Sequence, residues 1–371
     1  MDPQYFGTIE TPQGAASALL CIDDDSPNEF QIQWYGPGIK AAAVLASARP
    51  EKGGIELIPR LLYRVGENGA LFLPPQLTAD EQTWMTSTRG NLQKTDHGLA
   101  GEWKGPDGAK GSLEFLRPTA PEAALPAVVC ESWTDFKVWA QRLRSERNAK
   151  WYRGHGSNKF TLRTTLHRAG RTHHLRYVPN EFLQFKVYAE AALGKRFNLS
   201  DGQDYSTLLA LAQHHGLPTP MLDWTESPYI AAFFAFSDAL QGKRSRPDST
   251  HVRVYSVSEE FVTVTSPQSA FLTAPQPFVA SLAVDPIHNS RLLAQQGRFM
   301  VTIVVNVEDF IRNVESRIAR QHLFAADVPV SGAAEALQDL AFMGLTAATM
   351  FPGLDGIALM IRHEMFYKAP P

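Results

Sequence analysis

Three prolines within nine residues, Pro118, Pro121 and Pro126, mark a break across which the hydrophobic pattern of the chain changes period. Before it, short apolar or alternating runs recur at 17–22, 30–35, 55–65 and 71–73, separated by Gly36-Pro37-Gly38 and Asn68-Gly69. Such residues punctuate strands because they adopt the backbone angles of tight turns, so residues 1–125 are expected to form a small antiparallel β-rich domain, a barrel or a sandwich. The stretch from Leu99 to Phe115 turns at Gly105-Pro106-Asp107-Gly108 and is expected to be a hairpin. No catalytic spacing occurs here, and a scaffold or interaction role is expected.

After Pro126 the pattern is mixed. Ser132 is placed to cap a helix carrying Phe136, Trp139 and Leu143. Apolar spacing predicts helices over 181–193 and 205–215, the latter closed by Gly216. Ser227-Pro228 opens a helix that is apolar nearly all round over 229–239 and must be buried. Strands are expected at 150–154, 252–257, 299–305 (a central one) and 324–330, with helices over 308–320, after Ser331 and near Leu354. At about 150 residues per domain the 371-residue chain then divides as a β-rich domain over 1–125 and a mixed α+β domain over 126–371, an α+β class overall.

The formal net charge of −3 hides an imbalance. Residues 1–125 sum to about −6, whereas 137–180 holds eleven bases against one acid, Glu146. Lys150, Arg163, Arg168, Arg171 and Arg176 are therefore candidates for a nucleic-acid contact, with Trp151 and Tyr152 as stacking platforms. The plain alternative is a solvated helix face. Two cysteines, Cys21 and Cys130, are too few for a disulfide scaffold or a Cys-built zinc site and suit a reducing, cytoplasmic setting. The start lacks the basic and apolar regions of a signal peptide, and no apolar run is long enough for a bilayer.

Three segments could carry chemistry. Trp151-Tyr152-Arg153-Gly154 sets an always-charged fork between an aromatic residue and a glycine that lets a ligand near the backbone, a combination suited to a diphosphate. The stretch 213–225 closes a helix with polar groups and ends in Asp223-Trp224-Thr225, where Asp223 should need a partner such as Arg153, and Thr225 is placed to cap the next helix. The stretch 291–299 sets Gln295, Gln296 and Gly297 before an apolar strand, giving amides able to read a sugar or an amide. Adjacent histidines point apart and no acid accompanies them at ligand spacing, so no metal is expected. Nucleophile-elbow, phosphate-loop and dinucleotide glycine motifs are absent.

Together these segments resemble the FRG domain, a prokaryotic domain named for an aromatic-Arg-Gly motif, here Tyr152-Arg153-Gly154 with Tyr in place of Phe. The resemblance continues through 162–168, 213–236, 291–299 and 351–356. It implies a toxin or antiphage-defence effector and a relation to ADP-ribosyltransferases, with NAD as substrate, a nucleic-acid or protein target, and an antitoxin or sensor partner on the N-terminal domain. Those enzymes hold NAD with an Arg or His on one strand. They set a Ser, Thr or Tyr on a second strand, and bring a later Glu to the ribose. By that order Arg153 takes the first slot and Thr225 the second. The third falls on Gln295 or Gln296, which carry no charge, so Asp223, Glu226 or Asp355 would have to supply the carboxylate. The resemblance thus gives Arg153, Asp223, Thr225 and Gln295 as catalytic residues. Tyr152, Gly154, His214, Trp224 and Gln296 would be contacts to NAD. A nucleic-acid-binding module without catalysis, an NAD hydrolase and a nuclease remain open alternatives.

Overall fold

The computed structural model describes residues 1–118, 125–146, 148–241, 248–265, 271–284 and 290–366; the middle of the proline break and Arg147 lie outside the described residues. The N-terminal strands are β1 (Gln4–Thr11), β2 (Gly14–Ile22), β3 (Glu29–Tyr35), β4 (Ala42–Glu51), β5 (Gly54–Val65), β6 (Leu71–Phe72), β7 (Arg89–Lys94), β8 (Gly98–Lys104) and β9 (Lys110–Leu116). They pair antiparallel in the order β4-β3-β2-β1-β9-β8-β7-β5-β6, and a further β4–β5 pairing closes the sheet into a barrel. Its inward residues, among them Ile9, Leu20, Ile32, Val44, Leu92 and Phe115, form one apolar core. Helix α1 (Ala79–Ser87), started by a reciprocal Thr78–Glu81 capping box, lies between β6 and β7. Strands β1, β4 and β7 and helix α1 were not distinguished by apolar pattern; β7, Arg-Gly-Asn-Leu-Gln-Lys, offers the core only a few small or apolar groups.

The second sheet contains β10 (Ala127–Val129), β11 (Trp151–His155), β12 (Met221–Thr225), β13 (His251–Val257), β14 (Val279–Leu282), β15 (Gly297–Thr302) and β16 (Leu323–Pro329). Its order is β10-β16-β13-β11-β12-β15-β14, antiparallel except for the β10–β16 pair. Between these strands run helices α2 (Trp133–Ser145), α3 (Thr165–Arg168), α4 (His174–Tyr177), α5 (Leu183–Leu193), α6 (Gly202–His214), α7 (Pro228–Gln241), α8 (Glu259–Val264), α9 (Ser290–Ala294) and α10 (Val307–Ile318). Helices α11 (Ala333–Phe342), α12 (Ala347–Met350) and α13 (Leu354–Phe366) follow the last strand. Ser132 caps α2, and the Ser227 hydroxyl accepts the Ile230 N–H at the start of α7. Helix α7 is buried against one face of the sheet with α2 and α11, as its all-round apolar sequence requires. Strand β15 is interior but only second from the edge, and it stops at Thr302. Beyond it, the Gln4 side chain of β1 donates to the Ile303 carbonyl at 2.8 Å and accepts the Val305 N–H at 2.9 Å, so this part of the β-branched run serves the barrel contact. Among the described residues no helix is long and apolar enough to cross a membrane.

The barrel docks on α4 and on the segment that follows β15 through residues of β2, β4 and β5. Leu19 and Cys21 pack on Ile303, and Ala43, Leu45 and Tyr63 on Leu175. This explains why β2 reads as a continuous apolar run: both of its faces are covered. Burial pushes the Cys21 thiol up to about 12 and the Cys130 thiol up to about 11, so neither is reactive at neutral pH. Asp23 is the centre of the junction. Its Oδ1 accepts the backbone N–H groups of Thr172 and His173, and its other oxygen lies 3.6 Å from both Arg171 and Arg176. Truncating one member of a buried charge network leaves the others uncompensated. Asp23→Ala is therefore expected to destabilise the protein by about 3 kcal/mol or more, read as a lower urea midpoint or a separate melting step for the barrel.

Candidate functional site

The second sheet is nearly split in two. Strand β11 pairs with β13 from Trp151 to His155, and β12 with β15 from Met221 to Thr225, yet β11 and β12 meet only at Tyr152 and Thr225. Peptide groups freed by such a split need other partners. Arg153 provides one: its Nη1 donates to the Asp223 carbonyl, and the same nitrogen is 3.9 Å from an Asp223 carboxylate oxygen. Its Nε donates to His155 Nε2 at 3.2 Å. His155 can accept because desolvation, then the Arg153 charge, pushes its pKa down to about 3, so the ring is neutral. The guanidinium is thus held by its own strand on one side and by β12 across the split on the other.

A cleft of about 410 Å³ opens there. Arg153, Asp223 and Gln295, from three separate stretches of chain, all line it. Among the described residues lining the cleft, Asp223 is the one acid; its side chain is 59% exposed and accepts the Gln213 amide at 2.9 Å. Arg291 and Arg298 border the far wall. Arg298 is paired with Glu226 at 3.0 Å, whereas Arg291 lies 5.5 Å from the centre of the Phe351 ring with no carboxylate at ion-pair distance among the described residues. Phe234 also faces the cleft. The wall therefore combines guanidinium groups, amides and aromatic rings, a set suited to a ligand that carries both anionic groups and planar rings.

Residues 148–244 match the family model of the FRG domain. The chain carries an FRG domain. No curated protein and no solved structure matches the chain. The matched FRG segment supplies β11, β12, α6 and the whole of α7, and hence Arg153, Gln213 and Asp223. Arg291, Gln295, Arg298 and Phe351 complete the cleft from outside it.

Around this FRG cleft several residues have structural duties that differ from their expected ones. The Thr225 hydroxyl donates to the Gln295 carbonyl at 2.7 Å and accepts the Ser227 N–H at 3.2 Å; it ties β12 to the turn after α9, and Ser227, not Thr225, caps α7. Gln295 lines the cleft while its amide nitrogen donates to the Met350 carbonyl at 2.9 Å. Gln296 does not line the cleft: it occupies a left-handed position, φ 46°, and its carbonyl accepts the Glu226 N–H. Tyr152 and Trp224 border the cleft but their rings belong to cores on the two faces of the sheet, and Trp151 is core as well, so none of the three is an open stacking platform. The Trp224 indole N–H is buried without a partner. Gly154 lines the cleft and also serves packing, since a Cβ there would stand 1.9 Å from the Ala231 carbonyl oxygen of α7. His214 borders the cleft, its pKa lowered by burial and then by Arg291.

The basic segment is neutralised in part by acids distant in sequence. Lys150 pairs with Glu259 at 2.9 Å, Arg171 with Asp25 at 2.9 Å, and Arg176 with Asp25 at 3.2 Å. Arg171 and Arg176 thus hold the barrel in place and are not a free phosphate-binding face. Arg168 donates to the Arg163 carbonyl at 2.6 Å, and neither has a carboxylate at ion-pair distance among the described residues. Arg291 and Arg298 were missed as site residues although they bracket the amide segment. Their signal was two cations flanking a Gln-Gln-Gly turn.

Proposed function

We propose that the FRG cleft binds NAD and transfers its ADP-ribosyl group to a macromolecular target, nucleic acid or protein, as a toxin or defence effector would. The observation that carries this reading is the convergence of Arg153, Asp223 and Gln295 on one cleft at the split in the sheet. Arg153 and Arg291 offer guanidinium forks to a diphosphate, with Phe351 and Phe234 available to a planar ring. Asp223 takes the part of the carboxylate that neither Gln295 nor Gln296 can fill. The rivals for that part are poorly placed: Glu226 is occupied by Arg298, and Asp355 does not line the cleft. In the transfer, the bond from ribose to nicotinamide breaks with its electron pair leaving on nicotinamide, and the acceptor forms the new bond and loses a proton. Asp223 would stabilise the positive charge on the ribose, and Gln213 would hold the carboxylate in orientation. Pairing of Arg171 and Arg176 with Asp25 subtracts from a purely nucleic-acid-binding role.

Incubating the full chain with adenosine-labelled NAD and a cell extract should move label onto a macromolecular fraction. Arg153→Ala and Asp223→Asn should each lower that transfer by about 100-fold or more, as removal of a charge-stabilising group does, while Lys150→Ala leaves it near wild type. Nicotinamide release without a labelled acceptor would replace transfer by hydrolysis. Absence of both label transfer and nicotinamide release overturns the reading.

A further inference from the structure

The barrel has a cavity of its own, of about 380 Å³, remote from the FRG cleft. It occupies the end of the barrel where β3, β5 and β8 finish, and α1 lies across it. Its wall is mostly apolar: Ile32, Val44, Leu57 and Leu113 below, with the indoles of Trp34, Trp84 and Trp103 toward the mouth. Exposed Gln13 and Lys40 stand at the rim, so the space is reached from solvent. Small barrels normally fill their interior with side chains. Here Ala42, Ala46 and Gly90 face the space instead and leave it open.

Two polar groups in this apolar wall lack partners. Thr88 is 4% exposed and its hydroxyl has no hydrogen-bond partner. Arg64 is anchored to Glu81 of α1 through a terminal nitrogen, yet its Nε–H is buried and also unpartnered. Unsatisfied buried donors are costly, and nearly all such groups in folded proteins find an acceptor. Both lie on the wall of a cavity of ligand size, one of them on a cation. We propose that the barrel mouth binds a small aromatic molecule carrying one anionic group, the ring stacking among the tryptophans and the anion accepting from Arg64 Nε and Thr88. The volume, the aromatic wall and the unpartnered cationic donor of Arg64 define that class, with Lys40 a second cation at the rim; a purely polar metabolite would strand the indoles, and a purely apolar one would leave both donors unmet.

The test uses 8-anilinonaphthalene-1-sulfonate, which has this chemistry, and its uncharged relative N-phenyl-1-naphthylamine, each titrated against the full chain. The sulfonate should give one saturable site per chain, with fluorescence excited through tryptophan. Arg64→Met should weaken the sulfonate by about tenfold or more while changing the uncharged probe by less than about threefold. Glu81→Gln, which removes the ion pair and a lining carboxylate but keeps the Nε donor, should leave sulfonate affinity at or above wild type. Ala46→Phe should abolish both probes by filling the space; if it does not fold, as judged by circular dichroism, the Arg64 and Glu81 variants decide. Non-saturable binding overturns the proposal, as does an Arg64→Met chain that binds the sulfonate as wild type does, or one matched by Glu81→Gln in its loss.

Discussion

Acidification by about one pH unit below 6.5 is expected to remove a few kcal/mol of stability through three histidines alone, on the order of 1 kcal/mol each. His155, His167 and His174 are buried, and burial is the first cause that lowers each pKa: His155 to about 3, His174 to about 4 and His167 well below the ordinary value. The sign follows from proton counting. Above about pH 6.5 the rings are neutral in both folded and unfolded chains, so they contribute no pH dependence. Below it the unfolded chain binds protons that the folded chain refuses, and stability falls with pH until the folded values are reached. Carboxylates that gain partners on folding act lower on the scale. Glu190, for example, is held down to about 2, chiefly by Lys186, and titrates only in more acidic solution. Urea titrations at a series of pH values should therefore show a steep loss between about pH 6.5 and 5, where histidine alone among ordinary side chains changes charge. His167 sharpens the test because neither of its ring nitrogens has a partner. His167→Phe keeps a ring of similar shape and should reduce the slope by about a third; an unchanged slope would mean that His167 is protonated, or exposed, in the folded protein.

The sequence patterns that proved reliable were those set by neighbours along the chain. Ser132 and Ser227-Pro228 started their helices because a cap needs only the next three residues, and 229–239 was buried because every face of that helix is apolar. The hairpin of β8 and β9 followed from its turn residues in the same way. What stayed hidden depended on partners far away. The charge blocks at 23–25 and 171–176 were visible separately, but nothing local says that they face each other and cancel across the barrel junction. The split between β11 and β12 is a property of registry among four strands, and so the bond from Arg153 to the Asp223 carbonyl could not be read from either segment. Arg291 became a site residue only because α9 brings it over Phe351, a residue expected to matter for resemblance and not for charge. β-barrel closure was undecided for a similar reason, since beyond its local hairpins it needs the β1–β9 and β5–β7 pairings, which join strands distant in sequence.

The aromatic-Arg-Gly motif itself can be taken apart by substitution, and its glycine should have the largest effect on folding. A methyl group at Gly154 would sit 1.9 Å from the Ala231 carbonyl oxygen and 2.9 Å from the Ala235 side chain. Both contacts belong to α7, which is clamped between the sheet, α2 and α11, so the helix cannot retreat without opening the core. Gly154→Ala should then cost at least about 3 kcal/mol, the upper range of overpacking, and lower the melting temperature by roughly 10 °C. Tyr152→Phe removes only a hydroxyl set against Ser256 and keeps the buried ring, so it should change stability by less than about 1 kcal/mol. Arg153→Ala should sit apart from both. Its guanidinium contributes one hydrogen bond across the split and one within β11 but no core volume, so the melting temperature should fall only modestly while ligand binding in the cleft is lost. Arg153 then supplies the motif's charged group to the cleft, and its two neighbours let a strand and a buried helix approach closely enough to hold it. If Gly154→Ala melts with wild type, β11 and α7 do not touch as described. The position of Arg153 would then need another explanation.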